Sequence, residues 1–396
     1  MFLFLSSIIS YNTDSIENCV NEIIKTMDTL STLVINPSIL KWARNDTNLT
    51  LKEVAQRLNI DENQYLSWEI DGLNVPFACL IQLSNIFKLQ IATFFLPNTP
   101  EKHRKPNDYR NVSLQNNKLS LDTSLAIRRT NRFRDLLSEL NGKEYYDIKY
   151  SWLSEIAGLI HNSSISDDKI ADWLRLKLEY SVNNQVNEKK FEDAYLHWRN
   201  ALENKLGIHV FQFSLPKNEV QGFCFSISPP YSISINSKYP VSSRIFTLLH
   251  ELGHIIKKQS GLCIPDKVTE RRSLEFECNS FASKLLLPSD VVFPSINKDE
   301  IYKLAQHFKV SSEVYLRRLK SLDLISNEDF RNVLEDIHNS VKPLKHPGIA
   351  TPRQKSINTR GQALYNTVLQ AINKDVISYE RGADVLGLKI NYLLNS

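Results

Sequence analysis

The sequence has few cysteines, no C-x-x-C pair and no long hydrophobic run, and each of these absences excludes a class of protein. Its five cysteines are odd in number and widely scattered, which argues against a disulfide framework and against a cysteine-based zinc knuckle. No apolar stretch approaches the length of a membrane span, and the opening MFLFLSSII lacks the basic flank and cleavage site of a signal peptide. We therefore expect a cytoplasmic protein that does not contact a membrane.

Charge and phosphate-binding signals are also sparse. The net charge of +4 permits contact with nucleic acid but does not require it, and no Walker-type G-x-x-x-x-G-K-[ST] sequence is present. A chain of 396 residues is too long for one ordinary core, so several domains are expected. Residues 1–30 are expected to be an extension, either poorly packed or lying before a translation start at Met27.

Residues 31–96 are predicted to form a small domain of short helices. Pro37 opens the first helix, Thr50 and Glu53 form a capping box for the second, and Asp61 caps the third. Helix, tight turn, helix is the layout of a helix-turn-helix DNA-binding domain, in which the third helix would enter the major groove. A compact helical bundle without any role in DNA binding fits the same pattern.

The third helix of this domain offers Asn63 and Gln64 as residues that could contact bases. This helix carries no lysine or arginine, and residues 31–96 as a whole have five basic and six acidic residues, a charge of −1. Because duplex DNA is bound mainly through cationic contacts to phosphates, tight binding by this domain alone is not expected. Pairing with another helix-turn-helix protein is an equally good interpretation.

The remainder of the chain divides by composition. Residues 97–120 are rich in proline, asparagine and charge, which is typical of a linker. Residues 121–342 are helical at first, then alternate with period two through HVFQF, QGFCFSIS and YSISIN, and return to helix. Residues 343–396 are predicted to form a further helical segment after a proline-rich break. The predicted fold is α+β and mostly helical, with one small β-sheet.

The segment TLLHELGHIIKK, residues 247–258, carries a candidate metal site. Its apolar residues recur at helical spacing, so His250 and His254 lie one turn apart on the same face and can reach one metal ion, with Glu251 beside that ion. This H-E-x-x-H arrangement is typical of zinc hydrolases in which the glutamate acts as general base. Two buried core histidines that bond to the backbone are the alternative interpretation.

A catalytic zinc ion commonly takes three protein ligands, so a third donor is needed. A later helix offers Glu275 at one flank of its apolar stripe, with Asn279 one turn further on as a group able to orient a ligand histidine. Glu277 and Glu270 remain alternative third ligands. We expect one Zn²⁺ per chain, although Mn²⁺ or Fe²⁺ also suits two histidines and a carboxylate. The upstream strand YSISIN is predicted to hold an extended substrate by strand addition.

Several stretches together resemble one known family. They are RIFTLLHELGH, ECNSFASKLLLP, GIHVFQF and GFCFSISPPYSISIN around the motif, LKWARNDTNLTLKEVAQRLN and WEIDGLNVP in the first domain, and GQALYNTVLQAINKDVISYERGADVLGLK near the end. The sequence is similar to the ImmA/IrrE family of zinc metallopeptidases, in the long form with an N-terminal XRE-type helix-turn-helix domain. By position, His250, His254 and Glu275 fall on the family's metal ligands and Glu251 on its general base.

The resemblance implies a zincin-like (gluzincin) metallopeptidase domain at 121–342, an XRE-type domain at 31–96 and a regulatory role. Such a peptidase would cleave or inactivate a helix-turn-helix repressor and relieve transcriptional repression in a phage, mobile-element or stress-response locus. Its partner would be that protein substrate, with DNA as a second partner through the first domain. The alternative is a helix-turn-helix regulator or antitoxin-like protein whose metallopeptidase fold acts as a sensor or docking domain without proteolysis.

Overall fold

The structure of the chain is a computed structural model, and it divides into two compact units. The residues that it describes are 32–100, 119–162, 167–217, 219–259, 268–339 and 350–394. The first unit contains the described residues up to Leu125, and the second contains those from Ala126 onward. The expected extension at 1–30, most of the expected linker at 97–120, and residues 343–349 lie outside the described residues.

The first unit is a set of short helices joined by tight turns. Thr50 Oγ1 accepts a hydrogen bond from the Glu53 backbone N–H, and the Glu53 carboxylate accepts one from the Thr50 N–H. This is the predicted capping box, and it sets the start of the second helix. The elements in chain order are β1 (Thr32–Leu33), α1 (Pro37–Asp46), α2 (Leu51–Leu58), α3 (Glu62–Ile70), β2 (Val75–Pro76), α4 (Phe77–Phe87) and a 3₁₀ helix (Ile91–Phe95).

An apolar core and a partly buried ion pair hold these helices together. Tyr65 and Trp68 on α3 are buried among residues of the other helices, with their rings edge to face. Arg44 on α1 donates to both carboxylate oxygens of Glu69 on α3, at 2.6 and 2.9 Å. Because this bidentate pair fixes the guanidinium group, Arg44 links α1 to α3 and faces the interior of the unit.

The second unit has helices before and after a three-stranded sheet, so the chain has the predicted α+β, mostly helical fold. The first helices are α5 (Leu121–Lys149), whose first five residues belong to the first unit, α6 (Ser151–Asn162), α7 (Asp167–Leu178), α8 (Val182–Asn187) and α9 (Phe191–Lys205), and the strands are β3 (His209–Phe213), β4 (Gly222–Phe225) and β5 (Ser232–Asn236). The later elements are α10 (Val241–Gln259), α11 (Val268–Leu286), a 3₁₀ helix (Ser289–Val291), α12 (Lys298–His307), α13 (Ser312–Ser321), α14 (Asn327–His338), α15 (Pro352–Arg360), α16 (Gln362–Asn373), α17 (Tyr379–Leu386) and α18 (Asn391–Leu394). Among the described helices, none combines the length and the apolarity that a membrane crossing needs.

The strand YSISIN, which contains β5, lies in the middle of this sheet. β5 pairs in parallel with β3 and antiparallel with β4, and all five of the β5 residues are buried. The prediction that this strand receives an extended substrate by strand addition is wrong, because neighbouring strands already occupy both of its hydrogen-bonding edges. Strand addition requires a sheet edge with unpaired backbone groups.

The C-terminal helices are joined to the sheet through a buried carboxylate. Glu203 in α9 accepts hydrogen bonds from the backbone N–H groups of Val210, in β3, and Ala363, at the start of α16. Gly361 precedes that helix with a φ of 83°, and a Cβ atom there would overlap the Glu203 carboxylate and lie 2.9 Å from the Val210 carbonyl oxygen. Glycine is therefore required where α16 approaches α9.

Candidate metal centre

The H-E-x-x-H segment lies where two helices of the second unit pack closely. On α10, Leu249 and Leu252 are fully buried, and the helix packs against β4, β5 and α9 as well as α11. A Cβ atom added at Gly253 would lie 3.1 Å from Phe281 and 3.4 Å from the Cα atom of Cys278. The absence of a side chain at this position therefore allows α11 to approach the histidine-bearing face of α10.

The imidazoles of His250 and His254 converge with the carboxylate of Glu275. The two Nε2 atoms are 3.1 Å apart, Glu275 Oε2 lies 3.2 Å from Nε2 of His250, and Glu275 Oε1 lies 3.3 Å from Nε2 of His254. Donor atoms about 2.0 Å from a tetrahedral ion lie about 3.3 Å from one another. The spacing and the types of these three donors therefore fit a Zn²⁺ ion, and we call them the donor cluster.

The donor cluster is enclosed on the histidine side and open on the glutamate side. The side chains of His250 and His254 are 0% and 1% exposed, whereas that of Glu275 is 33% exposed. Catalytic zinc sites need a coordination position that water or substrate can reach, while structural sites close all four. This asymmetry in exposure is the one that a catalytic site requires.

The neighbouring charged and polar groups shift the pKa values of His254 and Glu275 in opposite directions. Burial by itself lowers the pKa of His254, but contacts with Cys278 and Glu275 and the charge of Glu251 outweigh it and raise that pKa to about 11. Burial likewise raises the pKa of Glu275, but hydrogen bonds and charge from His250 and His254 hold it well below its usual range. The surroundings therefore favour an ionised Glu275 carboxylate, and a metal ion bound here would compete with a proton for His254.

Glu251, the expected general base, follows His250 directly in α10 and is 1% exposed. Its charge acts on His254, so the carboxylate lies close to the donor cluster without being one of the three donors. A carboxylate beside a metal site but outside its ligand set is the arrangement that proton transfer to or from a bound water requires.

Two residues of α11 contact the outward ring nitrogens of the histidines. Nε2 of His250 faces the donor cluster, and Nδ1–H of the same ring donates a hydrogen bond to Asn279 Oδ1 at 3.1 Å. Asn279, predicted to be able to orient a ligand histidine, thus lies at the outward nitrogen of His250. The sulfur of Cys278 lies 3.5 Å from His254 Nδ1. Cys278 was not predicted from the sequence as part of the site, although its place beside Asn279 on the buried stripe of α11 was a usable signal.

The alternative third ligands occupy other positions. Glu277 pairs with Lys257 at 3.2 Å, and Lys257 also lies 3.6 Å from Asp167. Glu275 and Glu277 are about 200° apart around a helix, so the two carboxylates face different surroundings. The side chain of Glu270 lies outside the described residues.

A cleft of about 680 Å³ opens beside the donor cluster. Asn279 and Phe246, whose ring centroid lies 6.4 Å from that of His250, form the wall nearest to it. The lining also includes Phe276, Ser280, Ser283, Arg317, Lys320 and Phe330. The wall thus combines apolar, hydroxyl and charged groups, and the cleft is large enough for several side chains of a peptide.

The residues considered for DNA contact are accessible. Asn63 and Gln64 are both exposed on α3, and the Asn63 backbone N–H is bonded by the Asp61 side chain that caps the helix. The neighbouring exposed residues of this helix include the acidic Glu62 and the apolar Ile70. The exposed face of α3 therefore presents a mixture of polar, acidic and apolar side chains, and it has no lysine or arginine.

Three comparisons relate this chain to known proteins, and one of them, the family model, is placed on residues of the second unit. A solved structure of a Mycobacterium tuberculosis transcriptional regulator is similar at 14% identity and a TM-score of 0.29, over 44% of this chain and 51% of that one, so the match spans about half of the regulator. No curated protein matches the chain. A family model, Peptidase_M78, matches residues 203–320, which include all three members of the donor cluster. This part of the chain is therefore similar to the domain described as IrrE N-terminal-like.

Proposed function

We propose that this protein is a zinc-dependent regulatory metallopeptidase. The observation that carries the proposal is the donor cluster: two Nε2 atoms lie 3.1 Å apart, and each lies 3.2 or 3.3 Å from one of the two carboxylate oxygens of Glu275, which stays partly exposed. The match of residues 203–320 to a peptidase family supports the same chemistry. A pair of structural core histidines would instead face backbone carbonyl groups, and would not converge with a carboxylate that is one-third exposed.

Each residue of the site has a role in this proposal. His250, His254 and Glu275 would hold one Zn²⁺ ion, which would acidify a water molecule and polarise a peptide carbonyl. Glu251 takes the proton from the attacking water and passes it to the departing amide nitrogen. Asn279 keeps the His250 ring oriented through its Nδ1–H, so that Nε2 stays directed at the ion.

The proposed substrate is another helix-turn-helix protein, a repressor whose cleavage or inactivation relieves transcriptional repression. The cleft beside the donor cluster would receive the polypeptide on one side of the scissile bond. The first unit would contribute recognition, because the cation-free outer face of α3 suits a protein partner better than DNA phosphates. This assignment rests on the resemblance to the ImmA/IrrE family and on the family match.

Co-expression tests the proposal directly. Wild type, Glu251→Gln and Glu277→Gln would each be produced with an epitope-tagged helix-turn-helix repressor encoded at the same locus, and the purified proteins would be analysed for bound zinc. Wild type and Glu277→Gln should shorten the repressor, whereas Glu251→Gln should hold zinc and leave the repressor intact. The Glu277→Gln control removes a carboxylate from the same region without touching the donor cluster.

A different result supports the alternative function. If Glu251→Gln relieves repression as well as wild type does while the repressor stays intact, the protein acts by binding, as a regulator or antitoxin-like protein without proteolysis. If wild type carries no zinc and is indifferent to chelators, the metallopeptidase proposal fails altogether.

A further inference from the structure

Two consecutive residues of α11 face the two histidines of α10, and they are chemically unlike. Asn279 presents an amide oxygen to Nδ1 of His250 at 3.1 Å, and Cys278 presents a sulfur to Nδ1 of His254 at 3.5 Å. Glu275, one turn before this pair on α11, contacts the opposite nitrogen, Nε2, of both rings. Each imidazole is thus held at both of its nitrogens by side chains of α11.

The contact at His254 has a defined direction if the ring is to serve as a metal ligand. A neutral imidazole that offers the lone pair of Nε2 must carry its hydrogen on Nδ1. That N–H group is buried, since His254 is 1% exposed and Cys278 is fully buried, and a buried donor without an acceptor costs free energy. The Cys278 sulfur, at a normal distance for a large and polarisable acceptor, meets this requirement.

We propose that Cys278 is a positioning residue of the metal centre: its sulfur accepts the Nδ1–H of His254 and keeps Nε2 of that ring directed at the donor cluster. This inference rests on the proposed metal site but not on proteolysis. Cys278 acts through His254 and is not itself a ligand, because it contacts the ring nitrogen that points away from the cluster.

The two histidines are oriented by hydrogen-bond acceptors of different strength. A thiol is a weak acceptor, whereas an amide oxygen is a good one, so His250 is held more firmly than His254. The close approach of the helices at Gly253 brings the Cβ atom of Cys278 within 3.4 Å of where a Cβ would stand on α10.

Metal affinity and cobalt spectroscopy, measured without any substrate, test this inference. The variants are Cys278→Ala, which removes the acceptor, and Cys278→Ser, which keeps one, with Cys224→Ala as a matched loss of a buried thiol in β4. Cys278→Ala should weaken Zn²⁺ binding about tenfold, in competition with a chromophoric chelator, whereas Cys278→Ser should stay within about threefold of wild type. Cys224→Ala should bind Zn²⁺ as wild type does.

The Co²⁺-substituted proteins separate positioning from a purely structural role. The visible absorption bands of Co²⁺ should change in Cys278→Ala and be largely restored in Cys278→Ser, while thermal unfolding of the metal-free Cys278→Ala and Cys224→Ala proteins should show similar losses. Wild-type affinity and an unchanged Co²⁺ spectrum in Cys278→Ala would overturn the inference. A thiolate-to-cobalt charge-transfer band in wild type, lost in Cys278→Ala, would overturn it too, since Cys278 would then be a ligand.

A failure of this inference is distinguishable from a failure of the proposed function. A protein that binds Zn²⁺ through the donor cluster without cleaving a repressor leaves the role of Cys278 intact. A wild-type protein that takes up neither Zn²⁺ nor Co²⁺ would overturn both, because there would be no metal centre for Cys278 to position.

Discussion

Replacement of His209 by phenylalanine should make the second unit less sensitive to acid. His209 lies in β3, is 4% exposed, and its Nδ1 has no hydrogen-bond partner among the described residues. Burial and, to a smaller extent, the positive charge of Arg134 lower its pKa from 6.5 to about 3. The folded protein therefore binds this proton less readily than the unfolded chain does. The stability that depends on neutral His209 is complete above pH 6.5 and is lost as the pH falls from 6.5 toward 3.

The size of the effect follows from the two pKa values. At pH 5 the unfolded-state imidazole is almost fully protonated while the folded one is still neutral. Because of this difference in proton binding, the free energy of unfolding falls by about 2 kcal/mol between pH 7 and pH 5, at about 1.4 kcal/mol per pH unit where the difference is one full proton. Phenylalanine does not titrate and keeps a ring of similar size beside Tyr146, so the variant should lose this part of the pH dependence.

Urea unfolding at pH 7 and pH 5, with a chelator in every sample to remove any contribution from metal binding, measures the effect. The difference in unfolding free energy between the two pH values should be about 2 kcal/mol smaller in His209→Phe than in wild type. Ser232→Ala, at the position of β5 paired with His209, is the control and should lose equal stability at both pH values. The reasoning is refuted if His209→Phe loses as much stability as wild type between pH 7 and pH 5.

The remaining predictions concern the third ligand and the C-terminal helices. Glu275→Gln should weaken Zn²⁺ binding at least about tenfold and Glu277→Gln should not, in a chelator competition assay; equal effects would contradict the choice of Glu275. Gly361→Ala should lower the free energy of unfolding by more than about 1 kcal/mol because of its positive φ and the overlap with Glu203. Gly158→Ala, where an added Cβ meets nothing within 4 Å, should lose no stability; thermal unfolding at the same temperature for both variants would contradict this account.

Features that depend on residues close together in the chain were predictable. The capping box of Thr50 and Glu53 and the start of α2 follow from hydrogen bonds within one turn. The common face of His250 and His254 follows from the helical period alone. The same period separates Glu275 from Glu277 by about 200°, which is why a third ligand could be chosen before any contact between α10 and α11 was known.

Features that depend on packing between distant segments were not predictable. The strand YSISIN has the same alternating pattern whether it lies at an edge or at the centre of a sheet, so only the observed order β3-β5-β4 showed that it offers no free edge. The role of the linker and of residues 1–30 stays a prediction, since those residues are largely outside the described part of the chain.

The sequence by itself determined the helices, the strands and the residue types of the donor cluster, because helix caps, periodicity and the spacing within H-E-x-x-H act over a few residues. Only the tertiary structure decided which side chains meet: Glu275 between two Nε2 atoms, Cys278 at His254, and Glu203 at the start of α16. The physical reason is that these contacts depend on how closely two helices approach, and that distance is set by glycines and buried side chains far apart in the chain.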